Sequence, residues 1–103
     1  MKYLVALAAL VCFTAAATAD TRFNNPRVNK MPLDWCLYPA KQCGKPAAER
    51  YCQLRNMGHA VKFKGELSDQ PTYIVGAKKT CTQPEYDHCD RFTWITCSAT
   101  RID

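Results

Sequence analysis

The chain has 103 residues, with 14 Lys and Arg against 9 Asp and Glu, a formal net charge of +5, and 7 cysteines. A chain of that length is expected to form one domain, and it leaves little room for the deep, water-excluding cleft that most enzymes need. Its basic residues are dispersed or paired, not gathered into a tract, so a nucleic-acid partner is not expected.

The first residues read as an export signal. Lys2 supplies the positive n-region, Leu4 to Phe13 the apolar run, and Ala17-Thr18-Ala19 the small-residue cleavage site. The strongly apolar stretch is shorter than the roughly 20 residues of a membrane-spanning helix, so residues 1–19 are expected to be removed rather than retained as an anchor. Cys12 leaves with the leader. Six cysteines remain, namely Cys36, Cys43, Cys52, Cys81, Cys89 and Cys97. An even set in a short exported chain predicts a complete disulfide framework. The ending Thr100-Arg101-Ile102-Asp103 carries no retention signal, and no N-x-[ST] sequon occurs. The expectation is a soluble, secreted, extracellular monomer with no transmembrane segment. A core this small is marginal, and each bridge adds about 2–4 kcal/mol, so the crosslinks are the main stabilising device.

Asp20 to Met31, with Arg22, Arg27, Lys30 and Pro26, has no cysteine and little periodicity, and reads as an extended or mobile arm. Residues 32–103 form the six-cysteine domain. Pro32 to Pro39 alternates Leu33, Trp35 and Leu37 with Asp34, Cys36 and Tyr38, a short extended segment. Pro46 to Met57 predicts a helix: Pro46 suits the first turn, Glu49 and Arg55 suit the macrodipole, and Gly58 suits a left-handed stop. Ala47, Ala48, Tyr51, Cys52 and Leu54 share one side at helical spacing. The period then changes to two, giving a strand at His59–Lys64, a turn at Gly65–Pro71, a strand at Thr72–Val75 and a polar loop between Cys81 and Cys89. Arg91–Cys97 is rich in β-branched and aromatic residues and is the best strand in the chain. Alternation puts Phe92 and Trp94 on one face, and Ile95 and Cys97 on the other. The predicted fold is a small disulfide-stapled α+β domain, one helix packed on about three antiparallel strands.

The spacing C-x6-C-x8-C-x28-C-x7-C-x7-C lacks the C-x3-C of helix-stapled defensin-like folds and the adjacent cysteines of inhibitor knots. Cys52 lies on the predicted helix and Cys97 on the best strand, so these two are expected to pair. The other partners stay open.

The chemistry expected is binding rather than catalysis. His59 and His88 are the only imidazoles, no G-x-S-x-G elbow exists, and oxidised cysteines supply no thiolate. Asp34 with Glu66 or Asp69 would be the carboxylate pairs for glycoside hydrolysis, but nothing in the sequence brings them together. The group Glu85, Asp87, His88, Cys89 and Asp90 lacks zinc or calcium ligand spacing, so no metal or other cofactor is expected. Trp35 and Trp94 are expected in the core. Tyr38, Lys62, Lys64, Lys78, Lys79, Tyr86 and His88 are the candidate binding residues, with the loop Thr82–His88 and the basic strand edges as the contact surface. The function expected is a secreted, non-catalytic binding protein whose ligand is a glycan, a cell-wall polymer or another extracellular protein. A cationic membrane-active protein and a protease inhibitor presenting the loop between Cys81 and Cys89 are the alternatives.

Overall fold

A computed structural model describes residues 19–99. The segment expected to be a leader, apart from Ala19, and residues 100–103 lie outside the described residues. In chain order the elements are β1 (Thr21–Asn24), β2 (Arg27–Val28), β3 (Met31–Pro32), β4 (Cys36–Tyr38), β5 (Lys41–Cys43), α1 (Lys45–Leu54), β6 (Ala60–Ser68), β7 (Thr72–Ile74), β8 (Lys79–Cys81) and β9 (Cys89–Cys97). The domain is α+β, with one helix packed on antiparallel strands and three disulfides, as the sequence predicts.

The β-rich strand β9 is the centre of a three-stranded sheet of order β1-β9-β6. Three short hairpins, β2–β3, β4–β5 and β7–β8, surround it. The segment read as an arm is extended and pinned. Thr21 to Asn24 pairs with Cys97 to Trp94, and Phe23 sets its ring edge-on to Tyr51 at 5.5 Å. Asn29 and Lys30, both at positive φ, then turn β2 into β3. Phe23 and Val28 pack against the core and, with the pairing of β1 to β9, hold this segment in place.

The helix opens after Gly44, whose φ of 78° suits glycine, and carries Pro46 in its first turn. It ends earlier than predicted. Asn56 at φ 59°, not Gly58, takes the left-handed position, and Gly58 N–H instead donates to Ser98 O beside the end of β9. Glu49 lies beyond the first turn and does not cap the macrodipole. Its Oε2 accepts the Ala60 N–H at 3.0 Å, and Oε1 lies 3.0 Å from His59 Nδ1, fastening the helix to the start of β6.

Two register shifts interrupt the pairing of β6 with β9, one at Ala60/Lys62, where Val61 is the extra residue, and one at Lys64/Gly65, which changes the faces of β9. Lys64 pairs with Trp94 but the next residue, Gly65, pairs with Phe92, so Thr93 is an extra residue in β9. Such a bulge reverses the alternation. Phe92 therefore joins Ile95 and Cys97 in the core, and Trp94 alone of that group points outward, correcting the simple period-two reading. The second correction is that β6 runs on through the predicted turn to Ser68. Gly65 stays in the strand, paired with Phe92, and the Trp35 indole lies against it.

Ala47, Ala48, Tyr51 and Cys52 of α1 pack on Phe92, Ile95 and Cys97, with Leu33 and Leu37 beneath. The bridge Cys52–Cys97, expected from the sequence, fixes helix to sheet. Cys36–Cys43 closes the β4–β5 hairpin, and Cys81–Cys89 ties β8 to β9. Ile74, Cys81 and Cys89 form a second small cluster.

Candidate functional site

The outer face of the main sheet, opposite α1, gathers three cations around one aromatic. Register puts Arg22, Thr96 and Lys62 in one row across β1, β9 and β6, and Asn24, Trp94 and Lys64 in the next. Directly opposed residues in an antiparallel pair share a face, so three cations flank the central aromatic. The alternate row, Phe23, Ile95 and Phe63, is the inward one. Arg22 lays its guanidinium over the Trp94 ring, 3.8 Å from the centroid. At an exposed position that contact is worth about 0.5–1 kcal/mol, enough to hold the cation in place. A shallow cleft of about 510 Å³ lies here, lined by Asp20, Arg22, Val61, Lys62, Trp94 and Thr96. The basic strip stops where Glu66 pairs with Arg91, whose Nη1 also donates to Asn25 Oδ1.

Of the binding residues expected from sequence, Lys62 and Lys64 belong to this face. Lys78 and Lys79 lie at the β7–β8 hairpin, on a separate sheet. Tyr38 is 37% exposed and pairs with Lys41 in the β4–β5 hairpin. Tyr86 is half-buried against the Ile74–Cys81–Cys89 cluster, and so is less exposed than its polar surroundings imply. His88 is exposed, with Nδ1 3.1 Å from Asp90 Oδ1. Trp35 and Trp94, expected in the core, are both half-buried. Trp35 packs on the core edge against Phe63 and Phe92, whereas Trp94 belongs to the outer face. Arg22 is the cation of this face that sequence reading missed, as it missed the outward placement of Trp94. The only signal for Arg22 was its place in a cysteine-free arm next to Phe23, and its meaning depends on a strand partner at the far end of the chain.

A second cleft, about 390 Å³, opens beside the stapled loop, lined by Asp34, Tyr86, His88 and Asp90 among others. Asp34 is 6% exposed. Its Oδ1 accepts the Thr72 hydroxyl at 2.5 Å and its Oδ2 accepts the Cys36 N–H at 2.9 Å. Burial pushes its carboxyl above the usual carboxylate range, and the two hydrogen bonds oppose that rise. Asp34 is thus a buried strut between β4 and β7. It is bonded to neither Glu66 nor Asp69, the partners that glycoside hydrolysis would use. Among the described residues no group of His, Cys, Asp and Glu is arranged to hold a metal ion. The loop itself is braced by the Tyr86 N–H to Thr82 O and by Gln83 Nε2 to Asp87 O.

No protein family, curated protein or solved structure shows a significant match to this chain. The fold and its bridges define a small disulfide-rich α+β domain. Three intramolecular disulfides, with no helix among the described residues long and apolar enough to cross a membrane, are consistent with an extracellular protein.

Proposed function

We propose that this chain is an exported, non-catalytic binding module whose ligand is a polyanionic extracellular polymer, a sulfated or uronate-bearing glycan, docked on the outer face of the main sheet. The observation that carries this reading is the placement of Arg22, Lys62 and Lys64 around Trp94 and Thr96 on one face. Cations on two edge strands, about 10 Å apart across the sheet, suit an extended chain of repeated negative charge better than a single small anion. The aromatic face is occupied by Arg22, so contact is through charge rather than through sugar stacking on a bare ring. Recognition then tolerates variation in the sugar and weakens with salt.

Exposed apolar residues support the polymer reading over membrane insertion. Among the described residues the exposed large apolar side chains, Leu54, Val61, Leu67 and Tyr38, are spread over α1, β6 and β4. The test is binding of the oxidised protein to heparin and to polygalacturonate, with neutral dextran as control, over a salt series. Binding to the two anionic polymers that falls with salt, with none to dextran, is the expected result. Equal binding to all three, or leakage from anionic vesicles at the same concentrations, would overturn the reading.

A further inference from the structure

β6 has one edge paired with β9, and no described strand pairs with the other. From Lys62 to Ser68 the strand is regular on its own side, because the extra residue at the Lys64/Gly65 step is Thr93 of β9. An unpaired edge of this length is a template for another strand. We propose that its partner is the same strand of a second copy, paired antiparallel about a two-fold axis at Gly65.

The sequence of the strand selects both occupant and register. Opposed residues on an antiparallel pair share a face, so the axis must fall on a residue. An axis at Phe63 sets Lys62 opposite Lys64. An axis at Lys64 sets that lysine opposite itself, and one at Glu66 opposes two carboxylates. About Gly65, Lys64 faces Glu66 of the second copy, Phe63 faces its Leu67, and Lys62 faces its Ser68. No like charges stand directly opposed, and Leu67, 69% exposed in the single chain, gains an apolar neighbour. Lysines on a free edge ordinarily keep strands apart. Here the self-complementary order Lys62-Phe63-Lys64-Gly65-Glu66-Leu67-Ser68 favours the axis at Gly65: an axis at Leu67 would also oppose no like charges, but it would pair only Glu66 to Ser68 of the strand. On this proposal the protein is a dimer, where the sequence led to the expectation of a monomer.

The assembly is isologous, a six-stranded sheet of order β1-β9-β6-β6-β9-β1. Its axis stands normal to the sheet, so both outer faces lie on one side and their basic strips join. That consequence rests on the polyanion reading above, in which two joined sites bind one polymer more tightly than either alone. The pairing does not depend on it.

Sedimentation equilibrium of the oxidised protein without any polymer, over a wide concentration range, tests the pairing. The weight-average mass is expected to rise toward twice the monomer value. Lys64→Glu and Glu66→Lys should each hold it at the monomer value. A mixture of the two variants should restore the twofold rise, because an acid again faces a lysine at both positions. Leu67→Lys, at a site 69% exposed, should also prevent the rise, with melting curves to check that each variant is folded. A monomer at every concentration, or a Lys64→Glu protein that doubles in mass like the parent, would overturn the proposal. A protein that dimerises yet ignores heparin sinks the earlier reading and leaves this one standing. One that binds heparin as a monomer does the reverse.

Discussion

A Cβ built on Gly65 would stand 2.4 Å from Cε3 of Trp35, closer than any packed carbon pair allows. The glycine is where it is because the indole, wedged against Phe63 and Phe92 with ring centroids 5.7 and 4.7 Å away, needs the surface of β6 to be flat at that point. Gly65→Ala should therefore destabilise the domain by about 1–3 kcal/mol through overpacking, although alanine suits a strand no worse than glycine. Equilibrium urea unfolding measures it as a lower midpoint at unchanged slope. In a Trp35→Leu background the same substitution should cost much less, since the two residues are coupled. An equal cost in both backgrounds would show that the indole is not the cause.

The three bridges should not contribute alike. Cys52–Cys97 spans a sequence separation of 45, and Cys36–Cys43 one of 7. On the chain-entropy account the longer loop restricts the unfolded state more, by about 1.6 kcal/mol. Replacing Cys52 and Cys97 together by alanine should lower stability more than the same change at Cys36 and Cys43. Thermal or urea unfolding of the two double variants gives the order. A reversed order would mean that native contacts, not loop closure, set the contribution.

What the sequence revealed was local. Pro46, the Ala47-Ala48 pair and the spacing of Tyr51 and Cys52 define α1, and the run Arg91 to Cys97 defines β9. Once those two elements are known, the Cys52–Cys97 bridge follows. What it hid was set by distant partners. Gly65 resembles a turn residue unless Trp35 is known to lie on it. The alternation along β9 fails at Thr93 because the bulge exists only relative to β6. Arg22 looks like part of a loose arm until β1 is paired with the last strand. The candidate lysines on β6 could be named from the alternation about Phe63, but the third cation of the candidate site and its aromatic could not.

Arg22 and Trp94 act as one unit in the proposed site, so their variants should behave in a particular pattern. Arg22→Ala, at an exposed position, should leave the melting temperature nearly unchanged and weaken heparin binding. Trp94→Leu should weaken it by about two- to fivefold, the equivalent of the 0.5–1 kcal/mol that orders the guanidinium. Removing Arg22, Lys62 and Lys64 together should cost roughly 10–100-fold at low salt, taking about 0.5–1 kcal/mol for each exposed pair. The difference should shrink as salt rises. Isothermal titration across a salt series reads all of these. If Arg22→Ala instead creates affinity for neutral dextran, the uncovered Trp94 ring is the true contact and the site reads sugars by stacking.

Asp34 gives the domain a pH dependence of definite sign. Burial is the largest influence on its carboxyl and raises it above the usual value of 3.8, while the bonds from Thr72 and Cys36 pull it down. The charge of Asp90 adds to the rise, and that of His88 opposes it. An acid with a higher pKa folded than unfolded binds more protons in the folded state between those two values. Stability therefore falls as pH rises through that window, and the full cost of the buried charge is felt above it. Below the unfolded value both states are protonated and Asp34 contributes no slope. Asp34→Asn keeps an acceptor for the Thr72 hydroxyl but can lose the bond from Cys36 N–H, a constant loss at every pH. Melting temperatures of parent and variant, taken from about pH 3.5 to pH 7, should thus diverge in one direction. The variant should fare worst relative to the parent at the acid end and recover, or overtake it, toward neutrality. A difference that stays flat, or widens against the variant as pH rises, would show that the hydrogen bonds outweigh burial and that Asp34 is held ionised.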